Sequence, residues 1–311
     1  MNKKIAVGAL VFAMAIPSTS QAGIKNKTET IPTLAILDTA LDTSIPSIKE
    51  KLIYEVCILE WKTCPNGESF MEGPGSAYLP LSSITKNGFE HGTQMASVAI
   101  AANPNMNIVF IRIIGQNTNL GKQSAGEKTV DAALDWVYIN KDKFNIKAVS
   151  MSFGDSNHSK IGHYCSVVES TQQLIKNLLS VGVPAFFPTG NDGDYNMIDW
   201  PSCIPESFAI GAGSRSGIDI NSNSDQLLTD FYALGKAKAI SPGNVVEKIS
   251  GTSISTQIAA SQWIVLKQAK PDYTVKQITD LINKTSKKIN RGKKFPKYFG
   301  NFFELEKSLN G

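Results

Sequence analysis

Short, almost continuously apolar segments alternate along this chain with longer segments in which apolar residues recur at helical spacing. The apolar segments predict buried strands at residues 33–37, 107–114, 147–152, 183–187 and 207–212. The helical pattern predicts helices at residues 92–102, 125–140, 166–181, 252–269 and 274–285. Strands that are apolar on both faces and alternate with helices form parallel sheets. We therefore expect an α/β fold, with a mostly parallel sheet flanked by helices on both faces.

Polar residues and glycines directly follow three of the predicted strands. Asp38 ends the first strand, Ser-Phe-Gly at 152–154 ends the third, and Gly190 and Asn191 follow the fourth. In sheets of this type, ligands bind at the carboxyl ends of the strands. We therefore expect these residues to converge at one edge of the sheet.

Residues 249–260, Ile-Ser-Gly-Thr-Ser-Ile-Ser-Thr-Gln-Ile-Ala-Ala, combine a glycine turn with the start of a predicted helix. Ser253 lies just inside that helix. There, free backbone N–H groups and the helix dipole stabilise the negative charge that forms beside an attacked carbonyl. The position suits a nucleophile. It also suits an ordinary helix cap, because Ser and Thr cap helices of every kind.

Three further residues supply the other groups that amide hydrolysis by a hydroxyl requires: a base, a carboxylate that orients the base, and a donor to the oxyanion. His91 is followed by a glycine and a helix of small residues, which predicts close packing on a neighbour. Asp38 and Asn191 lie at predicted strand ends. Each of the three has a structural alternative, as a buried histidine or a turn residue. Asp38, His91 and Ser253 occur along the chain in a known triad order.

The same residues lie in segments that resemble the motifs of the subtilisin-like serine proteases, or subtilases, over about residues 31–310. The matching segments are Leu-Asp-Thr-Ala at 37–40, His-Gly-Thr at 91–93, Val-Ser-Met-Ser-Phe-Gly at 149–154, Gly-Asn-Asp-Gly at 190–193 and Gly-Thr-Ser-Ile-Ser-Thr at 251–256. The resemblance implies a three-layer subtilisin-like fold and a serine endopeptidase. It implies four roles: orienting carboxylate for Asp38, general base for His91, oxyanion donor for Asn191 and nucleophile for Ser253.

The chain departs from the subtilase pattern at three places near these motifs. Ala40 replaces the glycine after the catalytic Asp. Gln257 and Ile258 replace the Pro-His pair that usually follows the nucleophile motif, and Ala-Leu-Gly at 233–235 replaces Ala-Pro-Gly. None of these changes removes a group with a chemical role, so we expect an active enzyme.

The resemblance also implies where a substrate binds. The residues predicted to bind it are Ser152, Phe153, Gly154, Asp155, Gly190 and Asp199. Asp199 corresponds to the base of the pocket for the P1 side chain, and Asp155 lies at its rim. A carboxylate in a partly dry pocket selects a cationic side chain through a charge-assisted hydrogen bond, which predicts Arg or Lys at P1. The alternative is that both acids are solvated loop residues.

Residues 1–22 have the pattern of a secretory signal peptide. Two lysines precede an apolar stretch at residues 5–16, and small residues at Ser20 and Ala22 predict cleavage after Ala22. We expect an exported protein, periplasmic or secreted, whose residues 23–311 form a single catalytic domain. The ten residues before the first strand leave no room for the inhibitory propeptide of the family. No other stretch is long and apolar enough to cross a membrane, so no membrane attachment is expected after cleavage.

The charge of the chain does not favour nucleic acid as a partner. The formal net charge is +4, and the basic residues that cluster after position 283 are expected to form a solvated surface rather than a nucleic-acid site.

Four cysteines in an exported chain predict two disulfides. Of the three pairings available, we favour Cys57–Cys64, which closes a short loop. The second pair is then Cys165–Cys203, which would join loops expected to lie near each other.

No cofactor or metal is expected. The cysteine spacing and the three histidines do not make a zinc site, and the segment at 102–107, where subtilases often bind calcium, is too short to favour one. The expected partner is a polypeptide substrate, with processing of particular protein targets. The alternative is a protease-derived binding protein or toxin-like subunit with little turnover, acting with a partner subunit. A non-proteolytic esterase would need a Gly-x-Ser-x-Gly elbow, which Ser253 lacks.

Overall fold

The five predicted strands lie in one sheet in the computed structural model of this chain. The structure describes residues 31–117, 122–155, 168–286, 289, 300–303, 305 and 309. The predicted signal peptide and Cys165 lie outside the described residues.

Strands and helices alternate along most of the described chain. The strands are β1 (Thr33–Asp38), β2 (Leu52–Ile58), β3 (Phe70–Glu72), β4 (Asn107–Arg112), β5 (Gly115–Asn117), β6 (Lys122–Ser124), β7 (Ile146–Met151), β8 (Ala185–Pro188), β9 (Phe208–Ser214), β10 (Gly217–Ile218), β11 (Phe231–Leu234), β12 (Lys236–Ser241), β13 (Val245–Ser250) and β14 (Gly300–Asn301). The helices are α1 (Pro46–Lys51), α2 (Leu81–Asn87), α3 (His91–Ala102), α4 (Glu127–Asn140), α5 (Glu169–Ser180), α6 (Thr252–Ala269) and α7 (Val275–Thr285). Each predicted strand and helix overlaps an observed one.

The central sheet of the described chain has ten strands, in the order β14-β11-β9-β8-β7-β1-β4-β2-β3, with β10 paired to β9. The neighbouring strands run parallel, except in the pairs β2–β3 and β9–β10. Two hairpins, β5–β6 and β12–β13, stand apart from this sheet. Because β1 lies between β7 and β4, the residue that ends β1 has other strand ends on both sides.

Alternate residues of the central strands pack on opposite faces of the sheet, as the pleat requires. In β1, Leu34 and Ile36 belong to the apolar cluster beneath α3, α6 and α7. Ala35 and Leu37 belong to the cluster beneath α4 and α5. All four are 0% exposed. Helices therefore cover both faces of the sheet, which confirms the predicted three-layer α/β fold.

Two of the elements that the apolar pattern misses show why it fails there. In β2, Glu55 is 7% exposed. Its carboxylate accepts hydrogen bonds from the N–H groups of Gly75 at 2.9 Å and Ala77 at 3.2 Å. The strand β13 is exposed along most of its length and is held by its backbone ladder with β12. A strand with a buried carboxylate and a strand in an exposed hairpin both lack the continuous apolar run by which buried strands are predicted.

The four cysteines of the chain are predicted to form two disulfides. A disulfide joins Cys57 and Cys64, whose Cα atoms are 5.9 Å apart. Cys203 is also disulfide-bonded, and its predicted partner Cys165 lies outside the described residues. Within the described ranges, no helix has both the length and the apolar character needed to span a membrane.

Candidate active site

Asp38 is the last residue of β1, and the pleat places its side chain on the face that Leu34 and Ile36 share with α3 and α6. The residue is 0% exposed. A buried carboxylate is strongly destabilising unless hydrogen bonds or a cation compensate it. Its Oδ1 accepts a hydrogen bond from the N–H of Thr39 at 2.7 Å and lies 2.8 Å from Nδ1 of His91. The carboxylate therefore fixes Nδ1 of the imidazole as a hydrogen-bond donor.

His91 is the first residue of α3, and the start of that helix is held against the turn after β1. The hydroxyl of Thr39 accepts a hydrogen bond from the N–H of Gly92 at 2.8 Å and donates to the carbonyl of Phe89 at 2.9 Å. A Cβ atom at Gly92 would lie 2.6 Å from the carbonyl oxygen of Ala40, so this approach requires glycine. The His-Gly pair thus brings the imidazole to the buried carboxylate.

Asp38 governs the protonation of His91. Burial lowers the pKa of the imidazole. The charge of Asp38, its hydrogen bond to the ring and the charge of Glu90 outweigh burial, so the pKa of His91 is raised above its usual 6.5. The His91 side chain is 34% exposed. With Nδ1 engaged, Nε2 is the nitrogen that can take up a proton, and Asp38 stabilises the cation that results.

Ser253 is the second residue of α6, whose start is formed by a glycine turn. Gly251 has a φ of 141°, a conformation that favours glycine, and its N–H donates to the carbonyl of Gly235 at 2.9 Å. Ser253 Oγ donates to the carbonyl oxygen of Ser152 at 3.2 Å. Ser152 directly follows β7, and Asp38, which contacts His91, ends β1, the parallel neighbour of β7. The hydroxyl and the imidazole therefore lie at the same edge of the sheet.

Asn191 contacts the same helix start from the turn after β8. Its Oδ1 accepts hydrogen bonds from the N–H of Thr252 at 2.9 Å and from the Thr252 hydroxyl at 3.2 Å. With the carbonyl oxygen of the amide engaged in this way, its NH₂ group remains as a donor beside the start of α6. Asn191 is exposed, so that donor is open to a ligand.

The turn that carries Asn191 depends on Asn223, which sequence reasoning missed. Asn223 is 1% exposed, and its Oδ1 accepts hydrogen bonds from the N–H groups of Asp192 at 2.9 Å and Asp194 at 3.0 Å. A Cβ atom at Gly190 would overlap Nδ2 of Asn223, so the turn packs directly on this amide. Asn223 lies in the polar run Asn-Ser-Asn-Ser-Asp, where nothing in the sequence distinguishes it from its loop neighbours.

Asp199 lies between the segments that follow β7 and β8. Its N–H donates to the carbonyl of Thr189 at 3.0 Å. A Cβ atom at Gly154 would lie 2.9 Å from Cβ of Asp199, and one at Gly190 would lie 2.6 Å from its Oδ2. Two glycines from neighbouring segments therefore enclose this carboxyl group.

The other residues of the predicted substrate segment follow β7. Ser152 Oγ donates to the carbonyl oxygen of Ser253 at 3.0 Å. Phe153 is partly buried against the cluster beneath α4 and α5. Asp155 exchanges two backbone hydrogen bonds with Trp200. The structure thus places all six residues predicted to bind substrate at the sheet edge that holds the Ser253 hydroxyl.

The pKa of Asp199 is raised from 3.8 to about 7. Burial is the main cause, followed by the charge of Asp192. A hydrogen bond from Asn223 Nδ2 at 3.4 Å lowers the pKa, and the charges of Asp155 and Asp194 raise it further. Four carboxyl groups are therefore concentrated here. A cation placed among them would relieve their mutual repulsion.

A carboxylate-bound imidazole, a hydroxyl at a helix start and an exposed amide donor lie together at the carboxyl edge of a parallel sheet. Serine hydrolases use this set of groups to activate a hydroxyl against a carbonyl. In the described part of the chain, no three His, Cys, Asp or Glu side chains are grouped to hold a metal ion. The residue types at this sheet edge are those that a serine hydrolase uses.

The chain belongs to the subtilase family. The family model described as Subtilase family matches residues 30–301. The solved structure of a lanthipeptide protease has a TM-score of 0.68 to this chain at 15% identity, covering 90% of this chain and 87% of that one. The resemblance drawn from the sequence motifs is therefore confirmed, and so is the subtilisin-like fold.

Curated relatives of the chain are subtilisins and alkaline proteases of low sequence identity. The alkaline protease of Alkalihalobacillus alcalophilus is 22% identical over 222 residues, which are 68% of this chain and 53% of that relative. Subtilisin E of Bacillus subtilis (strain 168) is 21% identical over 289 residues, which are 89% of this chain and 63% of that relative. The chain thus spans between half and two thirds of the length of these relatives.

Replacement of Asp199 by Asn is expected to change how the stability of the protein depends on pH. The pKa of Asp199 is about 7 in the folded state and near 3.8 in the unfolded chain, so the folded state binds the proton more tightly. Stability conferred by that proton is lost as pH rises through about 7. Asn cannot ionise, so Asp199→Asn should stabilise the protein more at pH 8 than at pH 5, as measured by urea unfolding.

The matched control for this experiment is Asp135→Asn, at an exposed position of α4. This control should change the free energy of unfolding by a similar small amount at both pH values. An equal effect of Asp199→Asn at pH 5 and pH 8 would show that the carboxyl group does not titrate as described.

Proposed function

We propose that this protein is a serine endopeptidase that hydrolyses peptide bonds in polypeptides through an acyl-enzyme. The observation that carries the proposal is the 2.8 Å contact between the buried carboxylate of Asp38 and Nδ1 of His91. A carboxylate in this position holds the imidazole in one tautomer and stabilises its cation. Ser253 lies at the same sheet edge, against the residue that follows β7, and in this proposal it is the group whose proton the imidazole takes.

Acylation and deacylation use the same proton carrier. His91 Nε2 accepts the hydroxyl proton of Ser253 while Oγ forms a bond to the carbonyl carbon of the substrate. His91 then donates this proton to the leaving nitrogen as the C–N bond breaks, which leaves an ester on Ser253. Water next loses a proton to His91 and attacks the ester carbon. The ester C–O bond then breaks, and His91 donates its proton to the Oγ of Ser253.

Two donors stabilise the oxyanion in this scheme, the N–H of Ser253 and the NH₂ group of Asn191. Thr252 holds the amide of Asn191 through two hydrogen bonds to its Oδ1. Donors fixed in advance are effective because they need no rearrangement when charge develops. The hydrogen bond from Ser253 Oγ to the carbonyl of Ser152 breaks before attack, because the hydroxyl must turn toward His91.

Cleavage of a peptide library tests the proposed activity directly. The wild-type protein is expected to produce new peptide termini, which mass spectrometry identifies, and Ser253→Ala is expected to produce none because the nucleophile is missing. Asn191→Ala should lower kcat by about 10²–10³-fold and change KM little, because its donor acts on the transition state.

Asn196→Ala, at an exposed position of the same loop, is the matched control and should cleave like the wild type. Cleavage by Ser253→Ala at the wild-type rate would contradict the assignment of the nucleophile. An effect of Asn191→Ala on KM alone would contradict its role as an oxyanion donor.

The P1 pocket of this enzyme selects a lysine or arginine side chain in our proposal. Asp199 supplies the carboxylate between Gly154 and Gly190, and the nearby acids Asp155 and Asp192 add to the attraction for a cation. Charge-assisted hydrogen bonds are stronger than neutral ones, so the preference should be substantial. A pocket lined by carboxyl groups restricts cleavage to peptide bonds that follow a basic residue, which favours the processing of particular proteins over general digestion.

Peptides that differ only in having Lys, Arg, Leu or Phe at P1 measure this preference through kcat/KM. The Lys peptide is expected to exceed the Leu peptide by about 10- to 100-fold, because a hydrogen bond to a charged group contributes about 1.5–3 kcal/mol. The preference should disappear in Asp199→Asn. It should also increase as the pH rises through about 7, since Asp199 then ionises.

The substitution Asp135→Asn, at an exposed position of α4, is the control for a general change in protein charge and should leave the P1 preference unchanged. A preference for Phe or Leu at P1 that Asp199→Ala does not alter would contradict the proposal that Asp199 selects a basic P1 side chain.

The proposal places the enzyme outside the cytoplasm, in the periplasm or beyond the cell. The signal-peptide pattern of residues 1–22 supports export. The disulfide between Cys57 and Cys64 also supports it, because such bonds persist in oxidising compartments. The substrate is then a polypeptide that the enzyme meets after export.

A further inference from the structure

Gln257 lies one helical turn after Ser253 in α6 and is 0% exposed. A buried side-chain amide is destabilising unless both of its polar ends are hydrogen-bonded. Its Oε1 accepts a hydrogen bond from the Ser150 hydroxyl at 2.9 Å, and its Nε2 donates to the Ser152 hydroxyl at 2.9 Å. Gln257 thus bridges α6 to β7 and to the segment that follows β7.

The bridge continues to the backbone of the proposed nucleophile. The Ser152 hydroxyl, which accepts from Gln257, donates to the carbonyl oxygen of Ser253 at 3.0 Å. A serine has one O–H donor, so the donors run in a single direction from Ser150 through Gln257 and Ser152 to Ser253. Buried networks in which every member is satisfied make a junction rigid.

The geometry of strand and helix explains why serines are the partners of this glutamine. Ala148, Ser150 and Ser152 are alternate residues, so their side chains lie on the α6 face of the sheet. Ser253 and Gln257 are four residues apart and share one face of α6. A single contact surface between β7 and α6 therefore includes the proposed nucleophile and the start of the proposed substrate segment.

We propose that Gln257 is a positioning residue that fixes Ser253 relative to the backbone of residues 152–154, along which the acyl side of the substrate binds. The inference rests on the proposed function. Loosening this junction misplaces the hydroxyl relative to the scissile carbonyl, and a displacement of about 1 Å can cost about 10²-fold in rate. The segment itself stays attached to β7, so substrate affinity changes less than the rate of the chemical step.

Gln257→Met tests this inference, because Met has a similar length and fills the buried volume without hydrogen bonds. Titration with a fluorophosphonate counts the reactive sites, and kcat is expressed per titrated site. We expect this kcat to fall by about 10- to 100-fold, with a smaller change in KM. Gln262→Met makes the same change elsewhere on α6 and should leave both constants unchanged. A residue that merely stabilised the fold would change the melting temperature and the number of sites, but not kcat per site.

Ser150→Ala provides a second variant in case Gln257→Met does not fold, because it removes only the outermost hydrogen bond. Its kcat per titrated site should fall in the same direction by a smaller factor. An unchanged kcat per site in a folded Gln257→Met, or in Ser150→Ala, overturns the inference while the proposed function stands. A wild-type protein that is neither titrated nor active overturns the proposed function, and the inference falls with it.

Discussion

The buried carboxylate of Asp38 is the constraint on which the rest of the site depends. It ends a central strand and is 0% exposed, so it requires hydrogen-bond donors in fixed positions. The N–H of Thr39 and Nδ1 of His91 are two such donors, both at Oδ1, at 2.7 and 2.8 Å. The need for the second donor brings the start of α3 onto the turn after β1. The pKa of His91 and the direction of its free nitrogen both follow from that contact.

Glycines permit the close approaches that the rest of the site needs. A Cβ atom at Gly92 would overlap the turn after β1, and one at Gly190 would overlap the carboxyl group of Asp199. The φ of Gly251 lies in the region that favours glycine, at the point where the chain enters α6. Each of these positions lies where a strand has just ended or a helix begins. The backbone at these strand and helix ends therefore determines where the side chains of the candidate site lie.

Much of this arrangement could be predicted because its parts have local signatures. Strands such as β1 are apolar on both faces, and Asp38 follows such a run directly. Other parts depend on partners that are distant in the sequence. Gln257 bonds to Ser150, which is 107 positions away, and the sequence shows only that a Pro-His pair is missing. Asn223 and the buried Glu55 escaped prediction for the same reason, since only the folded chain supplies their donors and acceptors.

The most direct test of a catalytic unit formed by Asp38, His91 and Ser253 is the rate of fluorophosphonate labelling as a function of pH. Peptide mapping should place the label on Ser253. The rate should rise with pH through a pKa above 6.5, because only neutral His91 can take the proton. Labelling of Asp38→Asn should be slower by about 10⁴-fold, since the ring loses its correct tautomer. Equal labelling of Asp38→Asn and wild type, or no labelling of the folded wild-type protein, would contradict the existence of that unit.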